Sequence, residues 1–122
     1  MIEYLGRSGP PEAMNCPALI CDTCREQVVD RGNVIWGTTA GADGPRRSTP
    51  LFVAHKGRCD RAFDLWFAQA YPAADGWLQL WEEAAVFVGQ LTHNLTHAFA
   101  DDTDGEYHPH HLVLPKERER AD

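Results

Sequence analysis

Ile20-Cys21-Asp22-Thr23-Cys24 and, after a gap of thirty residues, His55-Lys56-Gly57-Arg58-Cys59 are the two stretches that decide how this chain folds. Together they spell C-x2-C…H-x3-C, the one arrangement in the sequence with metal-ligand spacing. Zinc takes thiolate and imidazole ligands, and in structural sites it takes four of them, tetrahedrally. Cys21, Cys24, His55 and Cys59 would fill all four positions and leave none for water or substrate. The set therefore reads as a structural Zn2+ site. Thiols and imidazole must give up protons to bind, so metal affinity and folding are coupled. Cys59 stands where a helix should begin, and backbone N–H groups there favour a thiolate. A redox CxxC should open a helix directly, whereas here Val28-Val29 follows with strand character and Gly32 interrupts.

Working outward, Ile2–Leu5 and Pro17–Ile20 are short strands separated by a Gly- and Pro-rich loop. Val28-Val29, Arg31-Gly32-Asn33 and Val34-Ile35-Trp36 predict a hairpin around a glycine turn. Gly37 to Pro50 is turn-rich, with Gly44-Pro45-Arg46-Arg47 at its tip, and Leu51–His55 is a strand. A helix is expected from about Arg58 to just before Pro72, with Phe63, Trp66, Phe67 and Ala70 on one face and Asp60 in its first turn. A second, longer helix is expected after Asp75, reaching Phe99. Trp77, Trp81, Ala84, Val88, Leu91, Leu95 and Ala98 recur in steps of four and three, an apolar stripe that should be buried. The expected fold is α+β. Residues 1–72 form a zinc-binding β-hairpin and helix module, 73–100 a long amphipathic helix packed on it, and 101–122 an acidic turn and frayed tail.

A knuckle, a hairpin and a helix whose first turn supplies the last ligand resemble the treble-clef zinc finger. The resemblance covers residues 20–71 and rests on Ile20-Cys21-Asp22-Thr23-Cys24 and on Ala54 to Asp60. The second ligand pair is spaced by three residues where the treble clef more often has two, which makes His55 the least secure of the four. Treble clefs serve nucleic-acid binding, protein interaction and nuclease catalysis alike, so the resemblance implies metal and fold rather than activity. The whole chain also resembles small actinobacterial or actinophage zinc-finger proteins, which brings no activity with it.

At 122 residues the chain has the length of one domain, or of one small module with an appended helix, enough to bury about two-thirds of its unfolded surface. No apolar run approaches the roughly 20 residues that span a bilayer. The start lacks the pattern of a secretory signal, so a cytoplasmic setting with reduced thiols is expected. Charge is divided unevenly. Residues 1–63 carry a net of +1 and residues 64–122 a net of −8, within a total of −7. That balance disfavours a duplex-wide electrostatic grip. A local nucleic-acid contact through Arg46, Arg47, Lys56, Arg58 and Arg61 is the alternative, provided the hairpin tip lies beside the helix start.

The remaining motifs are discounted. Cys16 lies roughly 16 Å of extended chain from Cys21, too far to ligate unless Pro17–Ile20 folds back. His93 and His97 share a helix face and His108, His110 and His111 follow, which reads as a polar surface rather than a second metal site. Asp102-Thr103-Asp104-Gly105 has calcium-loop character without the flanking ligands. The histidines fall in the wrong order for a treble-clef nuclease, so a zinc nuclease or hydrolase ranks last. The expected function is non-enzymatic: a zinc-stabilised interaction or regulatory protein that binds another protein, acting as a monomer or as a homodimer through the 77–98 helix.

Overall fold

A computed structural model describes residues 1–5, 16–39, 47–97 and 111–115. Among these residues the fold has two sheets and two α-helices. β1 (Ile2–Tyr4) pairs antiparallel with β2 (Pro17–Leu19) in a small sheet. The larger sheet is built on β3 (Gly32–Thr39). On one side β3 pairs with β5 (Phe52–His55) and, further along, with β4 (Arg47–Ser48); on the other it pairs with β6 (Trp77–Glu83) over all seven residues of that strand. β7 (His111–Leu112) adds to β4 in parallel. Flanked on both sides and covered on both faces, β3 is buried at Val34 and Ile35, which explains its unbroken apolar run.

Helix α1 (Arg58–Ala70) packs on the sheet face that carries Ile35, Gly37 and Phe52. Phe63 and Phe67, one turn apart, are buried there, and Phe52, Trp66 and Tyr71 complete an aromatic cluster with ring centroids 5.0–6.5 Å apart. Gly37 is glycine because of this packing: a Cβ at that position would stand 2.6 Å from the Phe67 ring. Gly57 precedes the helix at φ 101°, and its N–H donates to Asp60 Oδ1 at 3.1 Å, so Asp60 closes the first turn. At the far end the Tyr71 N–H returns to the Phe67 carbonyl, and Pro72 prevents continuation.

The long second helix is not found. Ala73–Asp75 form one 3-10 turn, Gly76 at φ 90° redirects the chain, and Trp77–Glu83 run as β6. Among the described residues of that span, only Ala84–Asn94 form an α-helix, α2. The spacing of Trp77, Trp81 and Ala84 fits a helix, but Trp77, Gln79 and Trp81 also alternate as a strand. The ladder offered by β3 resolves that ambiguity. The expected burial fails as well: Trp81 is 62% exposed, Val88 44% and Leu91 51%. Helix α2 instead packs through Ala84 and through Phe87, whose ring lies 6.1 Å from Trp36 on the sheet face opposite α1. Because Trp81 is mostly exposed, Trp81→Ala in dilute protein should cost less than about 1 kcal/mol, measured by urea denaturation.

Two further expectations are corrected. Val28 and Val29 form no strand. The bridge is at Gln27, to Ile20, and Gly32 opens β3 instead of turning a hairpin, so the partners of β3 come from later in the chain. Residues 111–113 are not frayed: the Val113 N–H donates to the Ser48 carbonyl at 2.8 Å, and the Val113 carbonyl accepts the Tyr71 hydroxyl at 2.9 Å. The acidic turn at 101–106, His108, His110 and the end of the tail lie outside the described residues.

Candidate metal centre

Three local structures bring the four ligands together. The first is the knuckle. Cys21 accepts the Arg25 N–H on its carbonyl at 2.9 Å, and Arg25 takes a left-handed φ of 67° to close the turn. Arg25 Nη2 donates to both carboxylate oxygens of Glu3, at 2.7 and 2.9 Å, and so ties the Arg25 side chain to β1. The second is a clamp between the knuckle and β5. The Asp22 N–H donates to the Val53 carbonyl at 2.7 Å, and the Val53 N–H donates to Asp22 Oδ2 at 2.8 Å. Two residues beyond that clamp stands His55. The third joins knuckle and helix: Thr23 Oγ1 donates to the Cys59 carbonyl at 3.0 Å.

The result is a group in which one donor atom from each of Cys21, Cys24, His55 and Cys59 lies within 4.8 Å of every other. Tetrahedral zinc with bonds of about 2.3 Å asks for sulfurs about 3.8 Å apart, a contraction well within side-chain reach. His55 shows which nitrogen faces the site. Its Nε2 lies 3.0 Å from the Gln27 carbonyl, which can only accept, so Nε2 carries the proton. Nδ1 is then a lone-pair donor, 3.5 Å from Cys24 Sγ. Orientation of a ligating imidazole by a backbone carbonyl is the usual outer support of a zinc histidine. The sequence does not announce this contact of Gln27, because it is made through the main chain. The donor set fits a metal ion, and His55 belongs to it with the other three.

The electrostatics are those of a site built for a cation. Burial pushes the Cys21 thiol up, but the N–H groups of Cys24, His55 and Thr23 and the His55 ring outweigh it and bring the thiol down to about 6. The bond to the Gln27 carbonyl raises the His55 ring above its ordinary value, against burial and with help from Cys21. Burial first, then the crowding of Cys21 and Cys24, pushes Cys59 up to about 11. Thiols this close cannot all ionise unless a cation sits among them.

The other candidates are scattered. Cys16 is not part of the cluster. Among the described residues no second group of three or more His, Cys, Asp or Glu converges. His93 and His97 are exposed and stack on one another with ring centroids 4.0 Å apart. Among the described residues the basic candidates do not form one patch. Arg47 lies over the Trp77 ring at 5.4 Å, beside Thr39 at one end of β3. Lys56 pairs with Glu83 at 2.7 Å near the other end, roughly 23 Å away along the strand, and the exposed Arg58 and Arg61 lie beyond it on α1. Arg46 lies outside the described residues.

The fold and site thus define a mixed α+β chain with two helices and two sheets around a Cys3His group positioned to hold a metal ion. No family model, curated protein or solved structure matches the chain. No helix of the described residues is long and apolar enough to cross a membrane.

Proposed function

We propose that the chain is a non-enzymatic interaction protein, held in shape by one structural zinc on Cys21, Cys24, His55 and Cys59, which binds another protein. Residues 20–71 are read as a treble-clef-type module. The order of knuckle, β3, β5 and a helix bearing the last ligand supports that reading, with β6 as an addition. One observation carries the function: four protein donors converge, so the ion has no open position at which to activate water, while the surface nearby is apolar. Val88 and Leu91 of α2, with Leu19, Val34, Leu51 and Val53, line an apolar cleft of about 510 Å3. A cleft of that chemistry suits an apolar segment of a partner protein.

Two measurements test this. Protein loaded with cobalt should show a tetrahedral thiolate spectrum that azide leaves unchanged; a shift with azide would reveal an open position and favour a hydrolase. A photo-crosslinking residue at Leu91 should capture one protein in an extract of the native host, and the same probe at Arg61 on α1 should not. The nucleic-acid reading predicts the reverse pattern: salt-sensitive duplex binding without crosslinking at Leu91. The separation of Arg47 from Lys56, Arg58 and Arg61 weighs against it.

A further inference from the structure

The two long edges of the main sheet are treated in opposite ways. Beside β5, the outward N–H and carbonyl of Val53 are both taken by Asp22 of the knuckle. Beside β6, among the described residues, nothing pairs with the outer edge. Exposed edges in natural sheets are usually blunted by charged side chains, lysine above all, by proline or by a bulge, and the charges of β6 are confined to its last two residues, Glu82 and Glu83. β6 reads Trp77-Leu78-Gln79-Leu80-Trp81-Glu82-Glu83, with no lysine or proline, and it pairs with β3 without interruption.

The hydrogen-bond pattern shows which backbone groups are on offer. The Gly37 carbonyl accepts the Thr49 N–H and the Gly37 N–H donates to Thr49 Oγ1, so both point away from β6. Gln79 stands opposite Gly37, and its own N–H and carbonyl must therefore point away from β3. By alternation Trp77, Trp81 and Glu83 do the same, while Leu78, Leu80 and Glu82 bond to β3.

We propose that this edge pairs antiparallel with the same edge of a second copy of the chain, about a two-fold axis through Leu80. Outward-facing residues must meet outward-facing residues. The axis at Leu80 pairs Trp77 with Glu83 of the second copy and Gln79 with Trp81 of the second copy, and reciprocally. All four outward residues are then satisfied; any other two-fold register leaves at least one unpaired. No acidic residue faces another. Glu82 meets Leu78, and Glu83 meets Trp77, over which the Arg47 guanidinium already lies at 5.4 Å. Among the described residues Arg47 has no carboxylate within 4.0 Å, so the second copy's Glu83, one of whose oxygens is held by Lys56 at 2.7 Å, adds a counter-charge through the other. The pairing also accounts for side chains that the single chain leaves in water. Leu80, 36% exposed, meets its own copy, Leu78 at 60% lies beside it, and Trp81 at 62% covers the Gln79–Asp64 pair of the other copy. The contact is isologous and closed, so it stops at two chains.

The test is sedimentation of the zinc-loaded chain over a concentration series, with three variants. The parent should be a dimer. Gln79→Pro removes an outward N–H without touching the β3 ladder and should raise the dissociation constant by at least about tenfold, while Gln79→Ala should not. In a Cys16→Ser background, Leu80→Cys should cross-link to its own copy on mild oxidation and Leu78→Cys should not. This readout stands even if the proline variant misfolds. A parent that stays monomeric throughout, equal dimerisation of Gln79→Pro and Gln79→Ala, or cross-linking through Leu78→Cys in preference to Leu80→Cys would overturn the proposal. A monomer whose edge is filled by a strand of some other protein falls in the first of these outcomes.

Discussion

Cys24→Ser should abolish cooperative folding of the metal-binding half, while Cys16→Ser should leave both metal content and stability close to the parent. Structural zinc contributes an apparent 10–16 kcal/mol in small finger peptides near neutral pH, about as much as the whole stability of an ordinary domain. Losing one of four ligands therefore removes more than the fold can spare. The geometry says where the loss is felt. Cys24 closes the knuckle whose Asp22 holds Val53 and whose Thr23 holds the start of α1. Metal content by mass spectrometry and thermal unfolding by tryptophan fluorescence give the result. Release of zinc by Cys16→Ser, with retention in Cys24→Ser, would move the ligand set one cysteine upstream and sink the assignment.

Phe67→Ala should cost about 3–5 kcal/mol, the usual penalty for emptying a buried aromatic position. Phe67 is 2% exposed, its ring lies 5.0 Å from Tyr71 and 6.0 Å from Phe63, and it fills the space that Gly37 leaves on β3. No small side chain can collapse into that gap without moving α1 off the sheet. Leu65, on the same helix but 72% exposed, is the control: Leu65→Ala should change stability by no more than about 0.5 kcal/mol. Urea denaturation of both variants with zinc bound separates this packing from the metal. A Phe67→Ala cost below that of Leu65→Ala would mean that α1 does not rest on β3 as described.

The parts of the fold legible in the sequence are those the chain encodes locally. The C-x2-C and H-x3-C spacings place ligands within reach of one ion, and α1 carries its start at Asp60 and its stop at Pro72. What could not be read depends on distant pairing. Trp77 to Ala84 satisfies a helical spacing and a strand spacing at once, and only the length of β3 across from it decides between them. Val28 and Val29 have strand composition, but the neighbours of β3 come from residues 47–55 and 77–83. In the site, the role of Gln27 is carried by a carbonyl that every residue possesses. Its side chain gives no sign of it.

The clamp between Asp22 and Val53 has a consequence for how the chain fares when zinc is scarce. It holds only while the knuckle is formed, and it is what occupies the outer side of β5. If the knuckle opened on partial loss of the proposed ion while β5 stayed paired with β3, a second margin would be uncovered, next to the apolar cleft and opposite β6. A two-edged sheet can add neighbours without end, where a one-edged sheet can add a single mate. Metal starvation would then do more than soften the molecule. On the two readings proposed above, a pairing that closes at two chains would give way to one that can extend.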